Sequence, residues 1–247
     1  MTFFRPALAL CAALASPVAA LDLETMTEAE RAAFRAEVRA YLLENPEVLM
    51  EAIEVLEARE ATTQASTDAA LVTANYDALV RDGHSWVGGN PDGDVTIIEF
   101  LDYRCGFCKR AFPEVEELVA SDGNIRVIVK EFPILGPQSV MASRFAIATK
   151  LTAGDDAYKT IHDDLMEMRG NISGPALRRI ADTAGLDGEA ILAAMELPAV
   201  DEIISENREL AQAMQITGTP TFVIGGQMLR GFLPLEGMRA IVADERG

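Results

Sequence analysis

The chain has 247 residues, 39 acidic against 21 basic side chains for a formal net charge of −18, and 49% hydrophobic with 24% charged residues. This composition belongs to folded globular domains and excludes disordered, collagenous and polytopic membrane chains. The acids are scattered and no basic stripe exists, which excludes nucleic acid as a partner and an anionic membrane surface as a docking site.

Residues 1–20 follow a secretory pattern: Arg5, an apolar run from Ala7 to Ala15, and small residues Val18-Ala19-Ala20 ahead of Leu21. A cleaved signal peptide is predicted. A membrane anchor fits less well, because the uncharged stretch contains Pro17 and ends at Asp22, and Leu10 argues against lipid attachment at Cys11. Cleavage removes Arg5 and no acid, leaving 20 basic and 39 acidic residues and a net charge of −19. It also leaves two cysteines, Cys105 and Cys108, so disulfides do not hold this fold together.

Residues 21–82 read as a helical segment and stalk. Thr27 with Glu30 forms a capping box, and Phe34, Val38, Tyr41 and Leu42 recur at helical spacing. Asn45-Pro46 is a second start signal, a cap followed by proline at the first helical position, and Leu49, Ala52, Ile53 and Leu56 continue the stripe. From Ala61 to Thr73 the residues are small and polar, which suits a stalk or linker better than a core element. The apolar stripe must be buried either on the main domain or against copies of itself, and periodicity leaves both open.

Residues 83–247 form the main domain. Gly88 to Asp94 is turn-rich, and Val95 to Leu101 is a β-branched, nearly continuous apolar run, as a strand covered on both faces requires. Cys105 to Ala120 then reads as a helix and Ile125 to Phe132 as a second strand, a βαβ unit. A helical insertion is expected over about 138–215, with caps at Ser173 and Asp187. Thr219 to Ile224 and Gln227 to Gly231 form a hairpin around Gly225-Gly226, and Leu235 to Ala243 a last helix.

Chemistry concentrates at Cys105-Gly106-Phe107-Cys108. At the junction of a strand and a helix the first thiol meets unpaired N–H groups and the positive end of the helix dipole, which favours thiolate, the species that attacks disulfides. Cys105 is therefore the expected nucleophile and the more exposed sulfur. Cys108, one turn inside, is the resolving thiol that releases a mixed disulfide. A purely structural disulfide in so short a loop adds little stability. Zinc lacks ligands, since only His84 and His162 remain, read as a loop and a surface residue. Copper(I) between two thiolates stays open. No cofactor is expected.

The strand with an acid six residues before Cys105, the Cys-x-x-Cys, the inserted helices and the downstream Thr219-Pro220 together resemble the DsbA-like branch of the thioredoxin superfamily, over roughly Trp86 to Arg246. The resemblance implies an α/β thioredoxin fold with an inserted helical subdomain, preceded by the N-terminal helical segment. It implies protein disulfide oxidoreductase activity, with Pro220 cis and Thr219 presenting backbone to substrate. It makes Glu99 the buried acid that moves protons at Cys108. Its apolar neighbours Ile97, Ile98, Phe100 and Leu101 independently argue for burial and a raised pKa. The strongly oxidising member of the branch has Pro-His between the cysteines; Gly-Phe here predicts a less depressed Cys105, with Lys109 and Arg110 compensating only through screened charge.

Tyr41 to Val48 resembles the oligomerisation segment of the ScsC and Com1 group, which implies a periplasmic location, a homo-oligomer through residues 27–60 and either isomerase activity or a role in copper tolerance. The partners implied are exported proteins with cysteines and a membrane redox partner. Oxidase, isomerase, reductase and copper-binding functions all remain open from the residues.

Overall fold

The computed structural model describes residues 25–247; the signal segment expected over residues 1–20, with Cys11, lies outside them. The chain divides between Arg59 and Glu60 into two units.

In the first unit, helix α1 (Glu28–Glu44) opens on a complete capping box. The Glu30 N–H donates to Thr27 Oγ1 at 3.4 Å, and the Thr27 N–H donates to Glu30 Oε2 at 2.9 Å. Asn45, expected to open the next helix, instead closes this one: its backbone N–H and its Nδ2 both donate to the Tyr41 carbonyl. Helix α2 (Glu47–Ala74) starts two residues later. Among the apolar side chains here, Phe34, Val38, Leu49, Ile53 and Leu56 are between 41% and 56% exposed, and α1 buries no residue. Phe34, Val38, Leu42, Leu43 and Leu49 line one apolar groove along α1 and the start of α2.

The second unit begins within α2. The stretch read as a stalk is helical throughout, and its last turns are core: Val72 joins an apolar cluster, while the buried Asp68 pairs with Arg230. Small residues at Ala69 and Ala70 conceal this, because the periodic signal comes from one valine and one acid. A short helix α3 (Tyr76–Val80) buries Leu79 and Val80.

Five strands form one sheet: β1 (Trp86–Gly89), β2 (Val95–Leu101), β3 (Ile125–Glu131), β4 (Thr221–Ile224) and β5 (Gln227–Arg230), in the order β1-β3-β2-β4-β5. β2 and β3 run parallel, joined by helix α4 (Gly106–Asp122), and every other pairing is antiparallel. Gly123 at φ 73° terminates α4 in the left-handed conformation that glycine adopts without cost. The insertion comprises α5 (Pro137–Ala153), α6 (Asp155–Glu167), α7 (Gly174–Thr183), α8 (Gly188–Ala194) and α9 (Pro198–Ala213); α10 (Leu235–Arg246) closes the fold. β1 was not expected, since its second half, Gly88-Gly89, falls in the turn-rich stretch. Its pairing with β3 supplies the structure, and Gly89 at φ 67° lies where a Cβ would meet the Ile125 carbonyl at 2.3 Å.

The sheet is covered on both faces. Ile97, Leu101, Val127 and Val129 pack with both cysteines and the helical insertion, whereas Ile98, Phe100, Ile128 and Val223 pack with Val72 and Leu79. The continuous apolarity of β2 follows from this double burial.

Candidate active site

β2 ends at Leu101 and the chain turns sharply before α4, making Cys105 the N-cap of that helix. The turn is built on Asp102. Its carbonyl accepts the Cys105 N–H at 2.9 Å, and its fully buried carboxylate accepts the Arg104 N–H at 2.7 Å, the Ile134 N–H at 2.8 Å and the Leu135 N–H at 3.0 Å. The redox loop is thereby tied to the loop that follows β3.

Both cysteines are free thiols; Cys105 is 6% exposed and Cys108 fully buried. The two differ sharply in acidity. Hydrogen bonds from the Cys108 thiol, the Thr219 side chain and the backbone N–H groups of Cys108 and Phe107 overcome partial burial and hold Cys105 down to about 5, with no histidine between the cysteines. Burial, the hydrogen bond to Cys105 and the charge of Glu99 push Cys108 far up. The Thr219–Pro220 bond is cis, and the Thr219 carbonyl stands 3.1 Å from Cys105 Sγ, where it accepts from the thiol form.

Glu99 lies in the middle of β2 between Val129 and Phe222, and its Oε1 has no hydrogen-bond partner among the described residues. Burial first, then the charges of Cys105, Glu116 and Glu131, raise it to about 8. An acid poised there can give or take the proton of Cys108 near neutral pH.

Two expectations are corrected. Lys109 is not an exposed charge: it is half-buried, and its ammonium donates to the carbonyls of Leu165 at 2.8 Å, Met166 at 3.0 Å and Met168 at 2.7 Å, capping the C-terminus of α6. Arg110 instead lies over the Phe232 ring at 4.3 Å. His162, read as a surface residue, is buried. Its ring stacks with Trp86 and Tyr158 and its Nδ1 lies 3.0 Å from Tyr103 Oη, while burial first and then Lys159 push its pKa down to about 3. Its neighbours in sequence, the half-buried Asp163 and the exposed Asp164, conceal that His162 itself lies on the side that α6 buries. His84 is a loop residue, as expected, with Nε2 3.0 Å from Asp82 Oδ2.

Sequence reasoning also missed Asp102 and Glu131. The buried Glu131 carboxylate accepts hydrogen bonds from Tyr103 Oη at 2.7 Å and Tyr158 Oη at 2.6 Å. Strand alternation carried the signal, since Glu131 falls on the same face as Val127 and Val129. Among the described residues no group of three or more His, Cys, Asp or Glu could hold a metal ion.

Residues 96–243 match the model of the DSBA-like thioredoxin domain, and residues 30–62 that of the copper resistance protein ScsC N-terminal domain. The chain is similar to a thioredoxin-like oxidoreductase from Silicibacter pomeroyi, at 39% identity and TM-score 0.66, covering 70% of this chain and 98% of that one. It is also similar to BcfH of Salmonella enterica Typhimurium, at 25% identity and TM-score 0.73 over 89% of this chain and 97% of that one. A curated relative, the Na(+)/H(+) antiporter NhaA 1 of Salinispora arenicola, is 29% identical over 161 residues, 64% of this chain; the chain spans about a quarter of the length of such relatives, 24% in that case. Strands β3, β4 and β5 and all of β2 but its first residue, the cysteine pair at the head of α4 and the cis Thr219–Pro220 loop fall inside the first match, which takes in more than half of the residues, and the chain belongs to the DSBA-like thioredoxin domain family.

Proposed function

We propose that the chain is a periplasmic thiol–disulfide oxidoreductase that forms or isomerises disulfides in exported proteins. The observation that carries this reading is the asymmetry of the pair: a thiolate-prone Cys105 at the helix head beside a fully buried, high-pKa Cys108. In the reducing direction Cys105 thiolate attacks a substrate disulfide, one substrate sulfur leaves as thiolate, and a mixed disulfide forms. Cys108, giving its proton to Glu99, then attacks Cys105 Sγ and expels the second substrate sulfur. The oxidising direction is the reverse. Thr219 supports substrate binding by its place beside the nucleophile, where its backbone can pair with an extended peptide.

The exposed apolar groove along α1 and α2 supports a homo-oligomer through residues 27–60, which would hold several cysteine sites at high effective concentration. A membrane redox partner would reset the pair.

One experiment separates the activities: reactivation of scrambled ribonuclease beside oxidation of the reduced, unfolded enzyme, with purified protein. Activity in the first alone makes it an isomerase, in the second alone an oxidase. Activity in neither overturns the reading and leaves copper(I) held by the two thiolates, a role that the copper resistance name of the N-terminal match favours.

A further inference from the structure

β3 places a second buried carboxylate on the sheet face that carries the redox pair. Glu99 lies opposite Val129 in the parallel register and Leu101 opposite Glu131, and alternation puts all four side chains on the face that packs with Cys105 and Cys108. Neighbouring strands are about 4.8 Å apart and two residues advance about 6.6 Å, so the Cα atoms of the two acids are roughly 8 Å apart. Carboxylates carried on the same sheet face by Cα atoms that close repel each other inside a protein, so ionising both costs more than ionising one.

Hydrogen bonding decides which. Glu131 receives two phenolic protons on Oε1, from Tyr103 and Tyr158, although its Oε2, like Glu99 Oε1, has no partner among the described residues. Charge-assisted bonds of this kind stabilise the ionised form, so Glu131 keeps the charge and Glu99 the proton. We propose that Glu131 is a positioning residue of the redox site: as a buried carboxylate on the same sheet face it adds to the burial that keeps Glu99 protonated, ready to hand its proton to Cys108. This rests on the disulfide-exchange reading.

In the step it serves, a substrate thiolate attacks Cys105 Sγ, the Cys105–Cys108 bond breaks, and the electron pair leaves on Cys108. Cys108 takes the Glu99 proton to become a thiol, and Glu99 becomes a carboxylate. The substrate sulfur is oxidised into the mixed disulfide and Cys108 is reduced, with total charge unchanged.

The surrounding groups agree. Glu131 is faced by Tyr103 from the redox loop, Tyr158 from α6 and Asp102, with His162 behind Tyr103; burial raises Glu131 to about 7. His162 is held neutral by burial and is no counter-charge. Glu99 is faced by Cys105, Cys108 and Glu116 from the α4 side, by Tyr158 and by Glu131.

The test is carboxylate-carbon NMR of the reduced full-length protein across pH. In Glu131→Gln, which keeps an acceptor oxygen for the phenols, the Glu99 midpoint should fall by roughly one pH unit. Tyr158→Phe removes one donor from Glu131, lets that acid compete for the proton, and should move Glu99 the same way by less; it serves if Glu131→Gln does not fold. A Glu99 midpoint that stays in place in the folded variants overturns the proposal. This readout needs no turnover. A shift in a protein that exchanges no disulfide with a reduced peptide would keep the coupling and sink the functional reading, and exchange without a shift the reverse.

Discussion

The largest contribution to the low pKa of Cys105 is the hydrogen bond from the Cys108 thiol, and this can be removed without touching the nucleophile. A hydrogen bond to a charged group contributes about 1.5–3 kcal/mol, and 1.36 kcal/mol corresponds to one pH unit, so its loss should raise the midpoint by roughly one to two units. Cys108→Ala is therefore expected to carry Cys105 from about 5 to roughly 6–7, the Thr219 side chain and backbone N–H groups still holding it below a free thiol. Cys108→Ser keeps a donor of similar size and should stay near the starting value. Thiolate absorbance against pH, cross-checked by the rate of alkylation with iodoacetamide, measures both variants. If the two titrate together, the Cys108 donor does not set the acidity of Cys105. If either titrates at the free-thiol value of about 8.5, the helix-head geometry does not stabilise a thiolate at all.

Three other outcomes are expected. Glu99 is raised in the fold to about 8 from an ordinary 4.5, so its contribution is fully favourable below pH 4.5 and is lost as pH rises through 8; Glu99→Leu should be about 3 kcal/mol more stable at pH 7, the gain shrinking toward pH 4.5, by denaturant melts at several pH values. His162 is depressed to about 3 from 6.5, so the fold loses a few kcal/mol as pH falls between those values, and His162→Phe should flatten that acid limb of the stability profile even though Tyr103 loses a partner; an unchanged limb would place the sensitivity elsewhere. A form beginning at Glu60, which retains Asp68, Val72 and Leu79, should be monomeric by light scattering and keep simple dithiol oxidation, whereas the full chain should be oligomeric; a monomeric full chain removes the case for self-association.

What could be read in the sequence was what local pattern determines. Val95 to Leu101 is buried on both faces and says so residue by residue, and Thr27 and Glu30 cap α1 within a single turn. The cysteine pair carries its chemistry through its position at a helix start. The unread parts depend on partners far along the chain. Asp102 serves N–H groups 32 and 33 residues away, Glu131 meets phenols 28 and 27 residues away, and Lys109 reaches carbonyls more than 50 residues on. His162 reads as solvated because acids, Asp163 and Asp164, follow it in the sequence, and only the packing of α6 against Trp86 and Tyr103 reveals which side of the helix it occupies.

The use of the Lys109 ammonium to cap α6 has a consequence for how the site meets its medium. With that ammonium held on three carbonyls, the groups that stabilise Cys105 are hydrogen-bond donors in direct contact with it and no ion, and salt, which screens over about 8 Å at physiological strength, has little to act on. The approach of small reagents is another matter, because the chain carries a net charge of −18. Added salt should leave the titration of Cys105 in place while speeding its reaction with anionic thiols and slowing it with cationic ones, so that ionic strength selects among reaction partners without altering the nucleophile.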